Sequence, residues 1–265
     1  MLSDVLALLR CPHCAGPLAG DDAAVRCPSG HSFDVARQGY LSLLAGGAGT
    51  STADSAAMVQ ARTDFLGAGH YDALSDAVAA AVGRGPVVDV GAGTGHHLAR
   101  VLDRVPGPGV ALDLSKHAAR RAARAHPRIG AVVADAWGAL PVADGVAGAV
   151  LSVFAPRGPA EAARVLAPGG RLVVATPTPE HLRELVTALG LVTVDPAKPE
   201  RLQRQLSGFR LLASEPVRQV LALSGADVRA AVAMGPSARH LDPDALPAGG
   251  AEVTLSVLVS SYEVA

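Results

Sequence analysis

Residues 86–97, PVVDVGAGTGHH, restrict the fold of this chain more than any other stretch. A short apolar run leads into Gly91, Gly93 and Gly95 at alternate positions, and a helical pattern begins directly after them. Glycines let the backbone turn sharply and pass close beneath a ligand, and the helix that follows opens with unpaired N–H groups. The rest of the chain agrees with a strand–loop–helix unit of this kind. PVVDV, GVALDL, AVVAD, AVLSVF and RLVVATP are strand candidates, separated by helical patterns such as SKHAARRAARAH and GPAEAARVL. That alternation builds a parallel sheet covered by helices. EVTLSVLVSSYEV, near the end, alternates at period two and predicts a last strand. The expected class is α/β with a Rossmann-like, doubly wound sheet.

The spacing of the glycines narrows the ligand. A dinucleotide fingerprint, GxGxxG, would need glycine where this chain has His96. Here the pattern is GxGxG, with Asp89 two residues before its first glycine, as in S-adenosylmethionine sites. Asp89 is placed to approach the positive sulfonium and amino groups. Asp113 ends GVALDL, where a carboxylate would accept the ribose hydroxyls, and Asp135 ends AVVAD, where one would accept the adenine amine. Singly, each reads as a turn or N-cap aspartate. Three in register after three successive strands read as a cofactor site of a class I methyltransferase.

A second constellation lies near the N-terminus. Cys11 and Cys14 form CxxC, and Cys27 and His31 follow, so all three cysteines fall within seventeen residues. Four such ligands close a tetrahedral shell around Zn2+, which makes the site structural and not catalytic. The alternative is a set of buried or redox cysteines; His13, between two ligands of one turn, is expected to point away. With every cysteine on zinc, no thiol remains for covalent attack, which argues against pyrimidine C5 methylation. Residues 1–44 are thus read as a zinc-binding module, 45–55 (AGGAGTSTADS) as a flexible linker, and 56–265 as the methyltransferase domain. Removal of zinc is expected to disorder the module and leave cofactor binding largely intact. Between Ser55 and Val82 the pattern is helical, with a second helix starting near Tyr71.

Composition sets outer limits. The chain has 265 residues, 49% of them hydrophobic, which is ample for a buried core. A net charge of −1 gives no global basic signal, and 3% aromatic content disfavours a stacking surface of the RNA-recognition-motif kind. Cysteine is reached after ten residues and no long apolar run occurs, so neither a signal peptide nor a membrane span is expected and the location is read as cytoplasmic. Locally, KHAARRAARAHPR (Lys116 to Arg128) puts Arg120, Arg124 and Arg128 on one helical face, either solvated or in contact with phosphate. The fourth strand ends in SVFAPR, which lacks the Asn/Asp-Pro-Pro-aromatic motif of exocyclic-amine methylation.

CPHC, CPSGH, FDVARQGYLSLL, DSAAMVQARTDFLGAGHY, VFAPR, ATPTPEHLREL and AMGP together resemble the zinc-containing guanine-N1 methyltransferases of 23S ribosomal RNA. VFAPR and GTGHHLARVL are most similar to the tylosin-resistance branch. The resemblance covers nearly the whole chain. It implies zinc on Cys11, Cys14, Cys27 and His31, and cofactor contacts at Tyr71, Gly95, His96 and His181. It further implies methyl transfer to N1 of a guanine in a 23S rRNA hairpin loop near the peptide exit tunnel, with protection against tylosin and other macrolides. The implied partner is 23S ribosomal RNA, with residues 1–44 implied to be a zinc-binding RNA-recognition module and no membrane involved; a homodimer is left open. Guanine N1 is a weak nucleophile until its proton leaves, so position and charge stabilisation dominate, and Arg157 is the candidate for charge on O6. Where the family has an aromatic after AMGP, this chain has Ser237, Ala238 and Arg239. The rival readings are a small-molecule methyltransferase and a non-catalytic ribosome-assembly factor.

Overall fold

The computed structural model describes residues 2–21, 23–44, 51–155, 158–195, 197–235, 238 and 249–265. Arg157, Ser237, Arg239 and the first six residues of the expected linker lie outside that set. Eight strands form the main sheet in the order β10-β11-β9-β8-β5-β6-β7-β4. In chain order these are β4 (Tyr40–Ser42), β5 (Val87–Val90), β6 (Gly109–Asp113), β7 (Ile129–Val133), β8 (Ala147–Val153), β9 (Leu166–Pro177), β10 (Phe209–Leu223) and β11 (Ala251–Val264). β4 to β9 run parallel, and β11 inserts antiparallel to both β9 and β10. A separate antiparallel sheet is made by β1 (Ala19–Gly20), β2 (Ala24–Arg26) and β3 (Ser32–Asp34).

Helices cover both faces of the main sheet, so its central strands are buried throughout and read as continuous apolar runs. Successive side chains alternate between the two faces. Val87 and Leu151 face a core built with α1 (Ala56–Gly67), α2 (Asp72–Ala81), α3 (His96–Leu102), α4 (Lys116–Ala122) and α8 (Gly225–Ala233). Val88, Val90 and Val132 face a second core, which takes residues from α5 (Pro159–Val165) and α7 (Lys198–Gln205). α6 (Arg183–Leu189) adds Leu185 to the first.

The N-terminal segment is built into the second core. A 3-10 helix over Leu2–Leu8 sets Val5 against β7, where a Cβ on Gly130 would lie 2.1 Å from Val5 Cγ2. β4 extends the main sheet beside β7, with Leu41 opposite Val132. Because Val5 is branched at Cβ and fully buried, it has little room to yield. Gly130→Ala is therefore expected to cost about 1–3 kcal/mol of stability through overpacking, read as a lower denaturant midpoint at unchanged slope. An unaltered midpoint would contradict the packing described.

Two strands of the main sheet, and all three of the small one, go beyond the sequence reading. β10 (FRLLASEPVRQVLAL) is an edge strand, mostly exposed, and its pairing with β11 carries it past Glu215, Pro216 and Arg218. Edge strands tolerate proline and charge, so the apolar signature is missing. β4 has only three residues. Arg128 also departs from expectation: α4 ends at Ala122, and Arg128 turns inward, donating to the carbonyls of Leu102, Val105 and Gly107. Lys116, Arg120, Arg121 and Arg124 remain exposed. Among the described residues no helix is long and apolar enough to cross a membrane.

Candidate cofactor and metal sites

In an open α/β sheet the ligand crevice lies at the carboxyl ends of the strands, where the strand order reverses. Here the reversal falls at β5, flanked by β6 and β8. The loop after β5 is wound tightly: Gly91, Gly93 and Gly95 have φ of 73°, 55° and 75°. The Gly91 and Ala92 N–H groups both donate to Leu112 O at 2.9 Å, and Gly95 closes a turn onto Ala92 O at 2.9 Å. A Cβ on Gly95 would lie 3.1 Å from Ala122 Cα, so glycine is required there for close helix packing as well as for its φ.

Each predicted carboxylate sits within two residues of its strand's carboxyl end, in a different state. Asp113 is pinned on both oxygens: Oδ2 accepts the Gly93 N–H and Oδ1 the Ser115 N–H, each at 2.8 Å. Each oxygen keeps a lone pair for a further donor, and burial pushes the carboxyl up. Asp135 is half-buried and accepts the Trp137 N–H at 2.9 Å. Asp89 is only 2% exposed, and its Oδ1 has no hydrogen-bond partner. Burial, and then the charge of Asp113, push it up to about 7. A buried carboxylate oxygen without a donor is costly, and a ligand carrying ammonium and sulfonium groups supplies what is missing. The donor set therefore fits S-adenosylmethionine.

The histidines and Tyr71 gather on the helical side. Tyr71 immediately precedes α2, is buried, and places Oη 3.3 Å from His181 Nε2 although 110 residues separate the two. The Ser256 N–H points at His181 Nδ1 at 3.3 Å, so Nδ1 accepts and Nε2 carries the proton that Tyr71 Oη receives. Burial pushes Tyr71 further up, which keeps its hydroxyl protonated. His96 opens α3, and burial lowers it. His97 turns away, its ring at 90° to that of His96, with Nδ1 2.9 Å from Ser75 Oγ; burial lowers it to about 3, leaving it neutral. The two do not converge on a common point, as expected of adjacent residues at a helix start.

Sequence reasoning missed two groups here. Arg62 of α1 lies over the glycine loop, with Nη1 3.0 Å from where a Gly93 Cβ would be. It pairs with Asp54 at 2.9 Å and donates to Met234 O at 2.8 Å. Phe154, directly after β8, stacks on His181 with ring centroids 5.5 Å apart. The helical spacing of Arg62 gives no hint of the first, because the loop it covers and Met234 are distant in sequence.

The ligand atoms of Cys11, Cys14, Cys27 and His31 all lie within 4.8 Å of one another. Cys14 and Cys27 sulfurs are 3.6 Å apart, and His31 Nδ1 is 3.5 Å from Cys11 Sγ and 3.3 Å from Cys27 Sγ. Zinc–sulfur bonds of about 2.3 Å in a tetrahedron imply ligand–ligand edges of roughly 3.7 Å, so the cluster has the dimensions of a zinc shell. Two turns present it: Ala15 N–H closes onto Cys11 O at 2.9 Å and Gly30 N–H onto Cys27 O at 3.0 Å. His13 is outside the set, its ring against those of His31 and Phe33. The segment leading into Cys11 is tied to the loop after Asp135, through Arg10 N–H to Pro141 O at 3.0 Å and Ala143 N–H to Leu8 O at 2.8 Å.

A parallel sheet with one antiparallel insertion, a glycine loop after its central strand and a compact Cys3His cluster define a class I S-adenosylmethionine-dependent methyltransferase with an N-terminal zinc ribbon. Two family models agree: residues 9–46 match the zinc ribbon described as "RlmA, N-terminal", and residues 87–170 match a methyltransferase domain. The chain is 49% identical over 272 residues to the 23S rRNA (guanine(748)-N(1))-methyltransferase of Streptomyces fradiae, covering 97% of each chain. It is also 49% identical over 286 residues to a Micromonospora griseorubida protein provisionally named a 23S rRNA (guanine-N(1)-)-methyltransferase, covering 98% of this chain and 97% of that one. A solved Haloferax volcanii complex of a methyltransferase with the Trm112 activator shares the fold alone, at TM-score 0.50 and 17% identity over 78% of this chain and 95% of that one. The chain belongs to the 23S rRNA (guanine-N1)-methyltransferase family. Its cofactors are S-adenosylmethionine and a structural zinc ion.

Proposed function

We propose that this chain methylates N1 of one guanine in a 23S rRNA hairpin loop, at the position that corresponds to guanine 748 in the name of the S. fradiae relative. The observation that carries the reading is the 49% identity along 97% of both chains, zinc ribbon included. In this reading Asp113 takes the ribose hydroxyls, Asp135 the adenine amine and Asp89 the positive groups of the cofactor. Gly91, Gly93 and Gly95 provide the close approach, and Tyr71, His96 and His181 line the methionine end. Cys11, Cys14, Cys27 and His31 hold the zinc. Residues 1–44 form one wall of the RNA cleft, in a cytoplasmic protein that protects ribosomes against tylosin-type macrolides. A second copy of the chain is the other partner admitted, and sedimentation in solution decides it.

When bound, the cofactor supplies an electrophilic methyl group. The protein must aim guanine N1 at it and accommodate loss of the N1 proton. Tyr71, held protonated by burial, does not act as a base; its oxygen accepts the His181 Nε2–H. The Ser256 N–H on Nδ1 selects the His181 tautomer that makes this donation. Catalysis then rests chiefly on orientation. Incubation of the purified chain with labelled cofactor and a hairpin transcript, followed by nucleoside analysis, is expected to give 1-methylguanosine at one position. Absence of label from RNA would contradict the reading and favour the small-molecule rival.

A pH dependence follows from Asp89. Its folded pKa, raised from 3.8 to about 7, means the cofactor-free protein binds a proton that the unfolded chain releases earlier. Stability of that form therefore falls as pH rises across this interval and levels off above it. Cofactor binding has the opposite sign, because a positive ligand favours the ionised carboxylate. Affinity by calorimetry is expected to rise roughly tenfold from about pH 6 to about pH 8, and Asp89→Asn to flatten the dependence. Equal affinities for the native chain at both pH values would contradict the assignment.

A further inference from the structure

A base inside a hairpin loop must leave its stack to reach a methyl donor, and the site that receives it has to replace the stacking it loses. Phe154 has the properties of such a receiver. It follows the last residue of β8, next to β5 and parallel with it, so it opens on the same edge of the sheet as the glycine loop. Its backbone stays tied to the sheet, with its N–H donating to Ala175 O at 3.1 Å, yet its φ is +53°. A bulky residue adopts that conformation only where the surroundings impose it, and such strain concentrates at functional sites. Among the described residues only Ala15 and Leu182 are the other non-glycines with positive φ, and Leu182 directly follows His181. Two of the three strained positions therefore border one cluster.

That cluster is aromatic in a chain with few aromatics. His181 lies against Phe154 at 27° and 5.5 Å, and Tyr71 stands 6.2 Å from it at 51°. Phe154 is nonetheless 42% exposed, whereas Phe65, which packs edge-on to Tyr71, is fully buried. An exposed phenylalanine backed by His181, at the strand end beside the cofactor loop, is suited to be a stacking platform. We propose that the target guanine stacks on Phe154, and that the left-handed turn at this residue exists to present the ring. The inference rests on the guanine-N1 reading above.

The test measures methylation of a 23S hairpin transcript together with cofactor affinity. Phe154→Leu keeps an apolar side chain and removes the π face. It is expected to lower kcat/KM for RNA by about 10- to 100-fold, the range of a lost base–aromatic stack, while the cofactor Kd stays within about twofold. Phe154→Tyr is expected to recover most of the loss. Native kcat/KM in Phe154→Leu would overturn the proposal, and so would a rise in cofactor Kd matching the loss, which would place the ring over the cofactor. Should the native chain place no methyl on guanine N1, the functional reading itself fails, and that result is distinct from either of these.

Discussion

Asp113→Ala is expected to weaken S-adenosylmethionine binding by roughly 100-fold and to reduce methylation correspondingly. The carboxylate anchors the glycine loop at Gly93 and the start of α4 at Ser115, each through a 2.8 Å bond from a backbone N–H. It also faces the ribose hydroxyls in the assigned pose. Hydrogen bonds to a charged group are worth about 1.5–3 kcal/mol each. Two lost contacts with the ligand therefore amount to about 3 kcal/mol or more, which is two orders of magnitude in affinity. Asp113→Asn keeps one oxygen acceptor and should fall between the two, at about tenfold. Calorimetric titration reads the affinity, and the thermal midpoint shows whether the fold survives. Undiminished affinity in a folded Asp113→Ala protein would remove this residue from the cofactor site.

Removal of zinc is the second large perturbation. Cys11 and Cys27 are 2% and 6% exposed and belong to the core that contains Val110 and Val132 of the main sheet. Without a cation, three sulfurs and an imidazole held at contact distance lose what keeps them together. In isolated zinc fingers the metal contributes roughly 10–16 kcal/mol. Only part of that is forfeited here, because Val5, Leu9 and Leu41 remain packed on the sheet. A chain of this size shifts by roughly 2–4 °C per kcal/mol, so a fall in thermal midpoint of roughly 10 °C or more is expected on chelation. RNA methylation should be lost, while cofactor affinity changes only a few-fold, since none of the cofactor carboxylates lies in the ribbon. An unchanged midpoint would mean that the cluster holds no metal. Equal loss of both activities would mean that residues 1–44 do not act separately from the cofactor site.

What could be read from the sequence follows from which features carry a linear signature. β5 to β8 are buried on both faces, so they appear as apolar runs, and the loop between β5 and α3 announces itself by glycine spacing. The three aspartates are legible because each lies within two residues of the end of an apolar run that forms a strand. β10 is illegible for the opposite reason: a half-exposed edge strand carries proline and charges and mimics a loop. Arg128 looked like part of a basic helix because spacing cannot show where a helix ends. Tyr71 and His181 are far apart in sequence and ordinary in type, so only resemblance marked them, and their 3.3 Å contact is a property of the fold. Phe154 is distinguished by its backbone conformation and by its exposure, neither of which is written in residue type.

N1 methylation blocks the Watson–Crick edge of guanine, and reverse transcriptase halts there. Primer extension on 23S rRNA should be compared from cells carrying the native gene, cells lacking it and cells carrying the Asp113→Ala form. A stop is expected at a single hairpin-loop guanine with the native gene, none without it and a much weakened one in the variant. A native gene that produces no stop, or a stop that persists without the gene, would contradict the guanine-N1 reading.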